Sequence, residues 1–398
     1  MLWQTLVDDH AELIALAASV DRTSVSGIAR LRKNADAHLA HLAAQLAEAR
    51  ARSIAKLGPD FAASVIADIE GVEQASSLAV ARLKAQRFKD AGLIDTIDLC
   101  SGIGVDALAL IEAGHDVLAV DHDPIRAWMT ERNARCTSLA ADAVSVDPTG
   151  KALHIDPARR AGGQRTQTLA DTEPVPEVVA GLLRRAKAAC LKLSPAVDMH
   201  EAEQAFAEAS DAAGGWSVEF VSEGGRLVQT LWWTGGLAAE QGSRTATRID
   251  DGGIHHLTDE DIYPAIGPVP EAGCLHTLDP AAERAELAMT LCARHDAVMP
   301  HPRAGLLATE EPIDSPWLTA FRVEAEMGWR EDNVRKWLAE HRTAHVEVKP
   351  RGLRLDTDAL QIALRGPKSL RKKGTGTDRT VFVTRLGEKI RCWIAQRL

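Results

Sequence analysis

The sequence predicts an α/β protein built on a doubly wound, Rossmann-like parallel sheet. A helical region precedes that sheet and a small α+β domain follows it. Three observations lead there. Ile97-Asp98-Leu99 is a short apolar strand that ends beside a carboxylate and runs into the Gly-rich turn Cys100-Ser101-Gly102-Ile103-Gly104. Asp116-Val117-Leu118-Ala119-Val120-Asp121 is a second such strand, again with an acid at its carboxyl end. From Ile97 onward, apolar strands and amphipathic helices alternate, which is the pattern of βα units on a parallel sheet.

Residues 1–72 are rich in alanine and leucine. Leu31, Ala35, Leu39, Leu42 and Leu46 follow steps of three and four, one face of an amphipathic helix, and Gly58-Pro59 breaks it. This region is expected to cover the next domain and to carry no chemistry. Residues 73–250 form the expected cofactor domain. Strand Ile97–Leu99 leads to helix Asp106–Glu112, strand Val117–Val120 to a helix through Arg126–Ala134, and a short strand lies at Thr137–Leu139. Strand Ala152–Ile155 ends at Asp156-Pro157. A helix over about Glu177–Ala189 precedes strand Cys190–Leu193, which ends at Ser194-Pro195. Trp216–Val221 and Leu227–Trp233 flank Ser222-Glu223-Gly224-Gly225 and predict a hairpin, which gives the sheet an antiparallel edge. Residues 251–270 are acidic, interrupted by Gly and Pro and unpatterned, as in a linker. Residues 271–398 form the third unit. Its expected elements are strand Phe321–Glu324, helix Asn333–His341, strand His345–Val348, helix Asp358–Leu364 and strand Thr380–Thr384.

Composition excludes several classes. Apolar residues make up 45% and charged residues 26% of the chain, which excludes a disordered polymer. No run approaches the roughly 20 apolar residues of a membrane span, and Met1-Leu2-Trp3-Gln4 does not begin a signal peptide, so a cytoplasmic location is expected. The six cysteines are scattered without a CxxC pair, so neither disulfides nor a metal is expected. Net charge is −10, unevenly spread: residues 342–398 hold 14 basic and 5 acidic side chains, the remainder 32 and 51. That asymmetry suits a polyanion-binding module on an acidic body.

Two cofactors compete for the Gly-rich turn. Gly102-x-Gly104-x-x-Ala107, with Asp121 about 20 residues on, fits the loose dinucleotide fingerprint. Asp98 favours the other reading. A pyrophosphate wants backbone N–H groups, whereas S-adenosylmethionine carries an ammonium and a sulfonium that an anionic strand end suits. On that reading Asp98, Cys100, Gly102 and Gly104 line the cofactor, and Asp121 accepts both ribose hydroxyls. Asp142, after the third strand, is placed for the adenine amino group or is a surface acid. Asp106 and Asp123 are candidate helix caps.

The turn Asp156-Pro157-Ala158-Arg159 supplies candidate catalytic residues: Asp156, Pro157 and Arg159. Methyltransferases of planar nitrogens use an Asp/Asn-Pro-Pro-aromatic turn to hold an exocyclic amine for in-line transfer. Here Ala158 replaces the second proline and Arg159 the aromatic. With Arg160 and Arg165, that change favours a phosphate or carboxylate contact over stacking. A plain strand-end turn with solvated arginines is the alternative. The turn is also similar to that of the 5-methyluridine transferases of RNA, whose attacking cysteine precedes an Asn-Pro on the next strand. Leu193 stands there in this sequence, so nitrogen is favoured over carbon as acceptor. His255-His256 has no partner at metal-ligand spacing. The basic run Ser369–Arg379, with Arg371, Lys372 and Lys373, reads as a loop able to track a phosphate backbone or as a solvated surface.

Three segments carry a family resemblance: Glu73-Gln74-Ala75-Ser76-Ser77 followed by Ala81-Arg82-Leu83-Lys84-Ala85, the loop Asp98–Asp106, and Val346-Glu347-Val348-Lys349-Pro350-Arg351-Gly352. Together they resemble the bacterial class I S-adenosylmethionine-dependent methyltransferases that end in a THUMP-like domain. The resemblance implies a Rossmann-like catalytic domain, S-adenosylmethionine as cofactor and an RNA substrate, tRNA or rRNA, with Arg351 among the RNA contacts. Gln74, Ser76 and Ser77 then reach the methionine end of the cofactor or the substrate, or else cap the helix through Ala81–Phe88. The expected activity is methylation of a base nitrogen in structured RNA. A protein or small-molecule acceptor, and a cofactor- or RNA-binding protein without turnover, are the alternatives.

Overall fold

The computed structural model describes residues 2–22, 24–159, 169–260, 265–301, 304–373 and 375–398. The chain divides into two compact units, residues 1–218 with 229–243, and residues 219–228 with 244–398. Among the described residues, no helix is long and apolar enough to cross a membrane.

The first unit opens with helices α1 (Leu2–Asp9), α2 (Ala11–Ser19), α3 (Val25–Arg32), α4 (Ala37–Leu57), α5 (Pro59–Ser64), α6 (Ile69–Gln74) and α7 (Leu78–Asp90). The apolar face expected to run from Leu31 to Leu46 is split between two helices. Leu31 closes α3, and Asp36 restarts the chain as an N-cap, its Oδ1 accepting from the backbone of His38 at 2.8 Å and Leu39 at 3.1 Å. The α4 helix stops at Gly58, whose φ of +78° an L side chain rarely adopts, and Pro59 opens α5.

The sheet of this unit uses β1 (Asp95–Leu99), β2 (Asp116–Asp121), β3 (Thr137–Ala140) and β4 (Ala152–Ile155), joined by α8 (Val105–Ala113) and α9 (Pro124–Ala134). A two-stranded ladder, β5 (Ala158–Arg159) with β6 (Thr172–Glu173), follows the turn after β4. Then come α10 (Pro176–Arg185), β7 (Ala188–Leu193), α11 (Met199–Ala212), β8 (Trp216–Glu223) and β9 (Arg226–Gly235). The strand order β9-β7-β4-β1-β2-β3 is parallel except for β9, which runs antiparallel to β7. The order reverses between β1 and β4, so the chain leaves β1 and β4 on either side of one crevice, where open α/β sheets bind ligands. The α10 helix ends at Arg185, short of the expected Ala189. Ala188 and Ala189 instead pair with Ala152 and Leu153, so sheet pairing overrides alanine's helix preference. Gly224 and Gly225, both at positive φ, make the expected turn of the β8–β9 hairpin.

The second unit contains a hairpin of β10 (Arg244–Asp250) and β11 (Gly253–Leu257); its turn and second strand fall in residues 251–270, expected to be linker, and its first strand in the end of the expected cofactor domain. Its acid-and-glycine cluster is the hairpin turn itself. Asp250 Oδ1 accepts from Gly252 N at 2.9 Å, and Gly253 sits at φ +122°. Beyond it lie β12 (Ala265–Ile266), β13 (Cys274–Leu278), α12 (Pro280–Arg284), α13 (Ala288–Arg294), β14 (Val298–Met299), β15 (Leu306–Thr309) and β16 (Leu318–Gly328). The unit closes with α14 (Glu331–Glu340), β17 (Thr343–Arg351), α15 (Thr357–Leu364), α16 (Lys368–Lys373), β18 (Thr377–Leu386) and β19 (Lys389–Arg397). One sheet runs β12-β14-β15-β13-β16-β19-β18-β17. Phe321 and Phe382 meet edge to face at 5.0 Å in its core beside the buried Trp393.

The basic run Ser369–Arg379 is not a loop throughout: α16 covers its start and β18 takes its end. Arg379 is 7% exposed and committed inward. Its guanidinium donates to Glu324 at 2.5 Å, to His341 O at 3.0 Å and to Thr343 Oγ1 at 3.1 Å. We therefore expect Arg379→Met to lower the stability of the chain by about 2–3 kcal/mol in urea unfolding, because it strands Glu324, the His341 carbonyl and the Thr343 hydroxyl. A change within about 0.5 kcal/mol, the range of ordinary surface substitutions, contradicts this role.

Candidate active site at the carboxyl ends of β1 and β4

The Gly-rich turn starts where β1 stops. Cys100, Gly102 and Gly104 all take positive φ, at 60°, 59° and 82°. The two glycines serve different purposes. A Cβ on Gly104 would lie 2.9 Å from Thr130 Cα, so α9 packs too close for any side chain there. A Cβ on Gly102 would meet nothing within 4 Å, so its backbone is bare to the crevice. Gly102 N donates to Asp121 Oδ2 at 2.9 Å and Asp123 N to Asp121 Oδ1 at 3.0 Å. Asp121 thus ties the end of β2 to the turn and keeps a further lone pair on each oxygen. Burial raises its carboxyl pKa against these two N–H bonds. On the neighbouring strand, Ala141 N bonds to Asp121 O at 3.0 Å, and the exposed Asp142 caps a short turn by accepting from Val144 N at 2.9 Å. Bare backbone at Gly102 and carboxylates after β2 and β3 fit a cationic nucleoside cofactor. Burial, with Asp121 and Asp156 beside it, pushes the Cys100 thiol far up, so it is no nucleophile.

Asp98 is not at the mouth of its strand. It is 1% exposed, one residue before the end of β1, and His154 of β4 meets its Oδ1 through Nδ1 at 2.7 Å. Its second oxygen is buried without a partner, and burial, opposed by the His154 bond, raises its pKa. Asp106, a candidate cap, caps nothing. Its carboxylate takes the Lys84 ammonium at 2.6 Å and the Ser76 hydroxyl at 2.9 Å. Lys84 Nζ also donates to Ser76 Oγ at 3.2 Å and His154 Nε2 at 2.9 Å, and Gln229 of β9 donates to Ser76 Oγ at 2.8 Å. Burial works against the Asp106 charge, but Lys84, His154 and Lys192 together outweigh it and hold the carboxyl well below the usual range. Burial likewise works against the Lys84 charge, and the surrounding groups, Asp106 first among them with Cys190 and Asp156, together outweigh it and raise the lysine. Ser77 is the cap: its hydroxyl accepts from Val80 N at 3.2 Å at the start of α7. Asp123 caps α9 through Ile125 N.

The segment before α7 is strapped over the turn. Asn133 holds Ile66 by both backbone groups and also donates to Ile103 O. Arg126 pairs with Asp68 at 2.9 Å. On the far side of the crevice Asp156 N bonds to Leu99 O at 3.2 Å, so the Asp156-Pro157 turn leaves beside the Gly-rich turn. Asp156 Oδ2 lies 2.6 Å from Lys192 Nζ, which also donates to Gln74 O at 3.3 Å. The side chain of Arg159, and all of Arg160 and Arg165, lie outside the described residues. Leu193 and Cys190 are buried in β7.

In the second unit Arg351 pairs with Glu283 at 2.6 Å, and Arg371 Nε donates to Gly366 O at 3.1 Å. The side chains of Lys372 and Lys373 lie outside the described residues. His255 lies 3.5 Å from Asp250 and His256 2.9 Å from Thr247 Oγ1. No metal-holding cluster occurs among the described residues. Sequence reading assigned no role to Lys84, His154, Gln229 or Lys192. The signal for the first two was a lysine on the buried face Val80-Ala81-Lys84-Ala85-Phe88 and a histidine inside the apolar strand Ala152–Ile155.

Residues 318–397 match the THUMP domain-like family model. Two strains of Mycobacterium tuberculosis encode a protein, described as an uncharacterized S-adenosylmethionine-dependent methyltransferase, that is 29% identical over 327 residues, 80% of this chain and 84% of that one. A solved structure from Porphyromonas gingivalis W83, assigned to the methyltransferases, superposes with a TM-score of 0.69 over 98% of this chain and 99% of its own at 17% identity, so the two share a fold along nearly their whole length. Fold, relatives and C-terminal match agree on an S-adenosylmethionine-dependent methyltransferase with a Rossmann-like domain and a THUMP-like domain.

One expectation follows from the buried charges and one from the open turn. Lys84→Met leaves Asp106 buried and unpaired and lowers stability by about 3–5 kcal/mol at pH 7 in urea unfolding. The depressed Asp106 stabilises the native state above its unfolded pKa of about 4, and that contribution is lost as pH falls through its folded value. The gap between wild type and Lys84→Met therefore narrows below about pH 4, and a gap constant from pH 3 to pH 7 contradicts the assignment. Gly102→Ala, into open space, weakens S-adenosylmethionine binding by calorimetry more than tenfold while costing only the roughly 1–2 kcal/mol of its left-handed backbone. Unchanged affinity removes Gly102 from the site.

Proposed function

We propose that this S-adenosylmethionine-dependent methyltransferase transfers its methyl group to a base nitrogen of structured RNA, tRNA or rRNA. The observation that carries this reading is the Asp156-Pro157 turn, which leaves β4 against the end of β1 and so stands beside the cofactor turn. When bound, S-adenosylmethionine supplies an electrophilic methyl group on a leaving sulfide. The protein has to hold both partners in line. Gly102 and Gly104 admit the cofactor against bare backbone, and Asp121 and Asp142 accept from its ribose and adenine. Asp98, with one unpartnered buried oxygen, favours a cation from behind the turn. Asp156, through the carboxylate oxygen that Lys192 does not hold, and Pro157, through its carbonyl, accept the hydrogens of the acceptor amine. Their acceptance turns the nitrogen lone pair towards the methyl group.

Nitrogen is supported over carbon by β7. Leu193 offers no thiol for a covalent base adduct, and Cys190 lies sealed in the strand. RNA is supported by the THUMP-like match and by the basic excess of residues 342–398. Arg159 is assigned to a substrate phosphate, and Arg351, Arg371, Lys372 and Lys373 to the RNA. For Arg351 that role competes with the Glu283 ion pair. The aromatic content of 4% favours a second reading, a protein or small-molecule acceptor, since few side chains are offered for base stacking.

Labelled S-adenosylmethionine, incubated with RNA from cells lacking the protein, is expected to mark one nucleoside, identified by mass spectrometry as N-methylated. Asp156→Ala is expected to lower that transfer at least a hundredfold, on the order of a 1 Å misplacement, with cofactor affinity kept. Label entering protein instead of RNA overturns the RNA reading. Charge reversal at Arg371, Lys372 and Lys373 together is expected to weaken RNA binding and flatten its salt slope by up to about three. An unchanged slope removes α16 from the interface.

A further inference from the structure

Lys192 occupies a place unusual for a lysine. It is the last residue but one of β7, its side chain only 14% exposed, between the buried Leu191 and Leu193. Its ammonium joins two segments far apart in the chain. It lies 2.6 Å from Asp156 Oδ2, in the turn after β4, and 3.3 Å from the carbonyl of Gln74, where the strap ends. Asp156 itself is 26% exposed, so the pair sits at the rim of the crevice. A carboxylate on a strand-end turn can rotate about two side-chain torsions, and nothing in the Asp-Pro backbone fixes them. A charge-assisted bond to one oxygen does fix them, and it leaves the other oxygen as the acceptor on offer.

We propose that Lys192 is a positioning residue for the methyl acceptor. It pins Asp156 by Oδ2, presents Oδ1 to the acceptor amine, and through Gln74 O holds the strap at the same wall of the crevice. This inference rests on the reading of Asp156 given above. It adds that the acceptor must offer an N–H donor to a carboxylate already committed on one side, so a single directed N–H bond, and not a bidentate cation, is what the wall selects. A guanidinium, which binds carboxylates bidentately, is thereby disfavoured as acceptor against an exocyclic amine.

The experiment compares Lys192→Met, Lys192→Arg, Asp156→Ala, Asp156→Asn and the double variant Lys192→Met/Asp156→Asn in the full-length protein. Methyl transfer is followed from labelled S-adenosylmethionine to RNA from cells lacking the protein. Cofactor affinity is read by calorimetry and folding by thermal melting. We expect Lys192→Met to lower kcat about a hundredfold, with S-adenosylmethionine affinity within about twofold of wild type and the melt preserved. Lys192→Arg, which retains the cation, recovers at least about tenfold of that loss. In the Asp156→Asn background, Lys192→Met costs nothing further, because both act through one contact. Multiplicative losses in the double variant, or wild-type turnover in Lys192→Met while Asp156→Ala is inactive, overturn the role of Lys192 alone. Unchanged methylation in Asp156→Ala removes the acceptor reading of Asp156 and this inference with it.

Discussion

The ammonium of Lys84 is enclosed in the protein and directs its three N–H groups at Asp106, Ser76 and His154. An ammonium has three donors and no acceptor, so this one is fully satisfied, the condition under which a buried charge is tolerable. Each partner belongs to a different part of the first unit: the first turn of the helix after the Gly-rich loop, the strap, and the central strand β4. Because Lys84 donates to Nε2 of His154, the ring proton sits on Nδ1 and faces Asp98, which carries the order one strand further. Gln229 brings in the antiparallel strand β9 through the Ser76 hydroxyl. Loop, strap and strand ends are thus set by one cation, and losing it unpairs several groups together.

Four carboxylates stand at or near strand ends of this sheet, and their surroundings give them different work. Asp98 is sealed behind the turn. Asp121 is bound to the backbone of the turn, Asp142 caps a short exposed turn, and Asp156 is held by a lysine at the rim. Identical chemistry in the sequence becomes four separate functions through depth and neighbours alone. The two glycines diverge in the same way, Gly104 serving helix packing and Gly102 leaving backbone open.

Much of this was legible in the residues. The strands β2 and β4 announce themselves as apolar runs with an acid at their carboxyl ends, β1 as a run that carries one just inside its end, and β4 ends at Ile155 as read, with Asp156-Pro157 directly after it. Gly224-Gly225 marks its hairpin because only such residues take the required backbone. What stayed hidden was long-range. Asp106 looked like a helix cap because an acid in a first turn usually is one, and only the folded chain brings Lys84 against it. The acid-and-glycine stretch near Asp250 looked like a linker because a hairpin turn has the same composition. The strand Lys389–Arg397 went unread because charged residues at Lys389, Arg391 and Arg397 obscure its apolar centre Cys392–Ala395. Lys192 carried no local sign at all, since its partners lie far away in sequence, at Asp156 and Gln74.

The division of the chain has a further consequence for how the molecule is made. The polypeptide leaves the first unit after Val218, returns at Gln229 and departs again after Ser243. A ribosome therefore delivers the tip of the β8–β9 hairpin, which belongs to the second unit, before the first unit has received its last strand. The methyltransferase sheet cannot close until residues 229–235 have emerged, and Gln229, which completes the Ser76 cluster, is the first of them. Folding by domains in strict succession is unavailable to such a chain, and a nascent chain halted before that point would expose the long apolar edge of β7. The two units are bound together in time as well as in sequence.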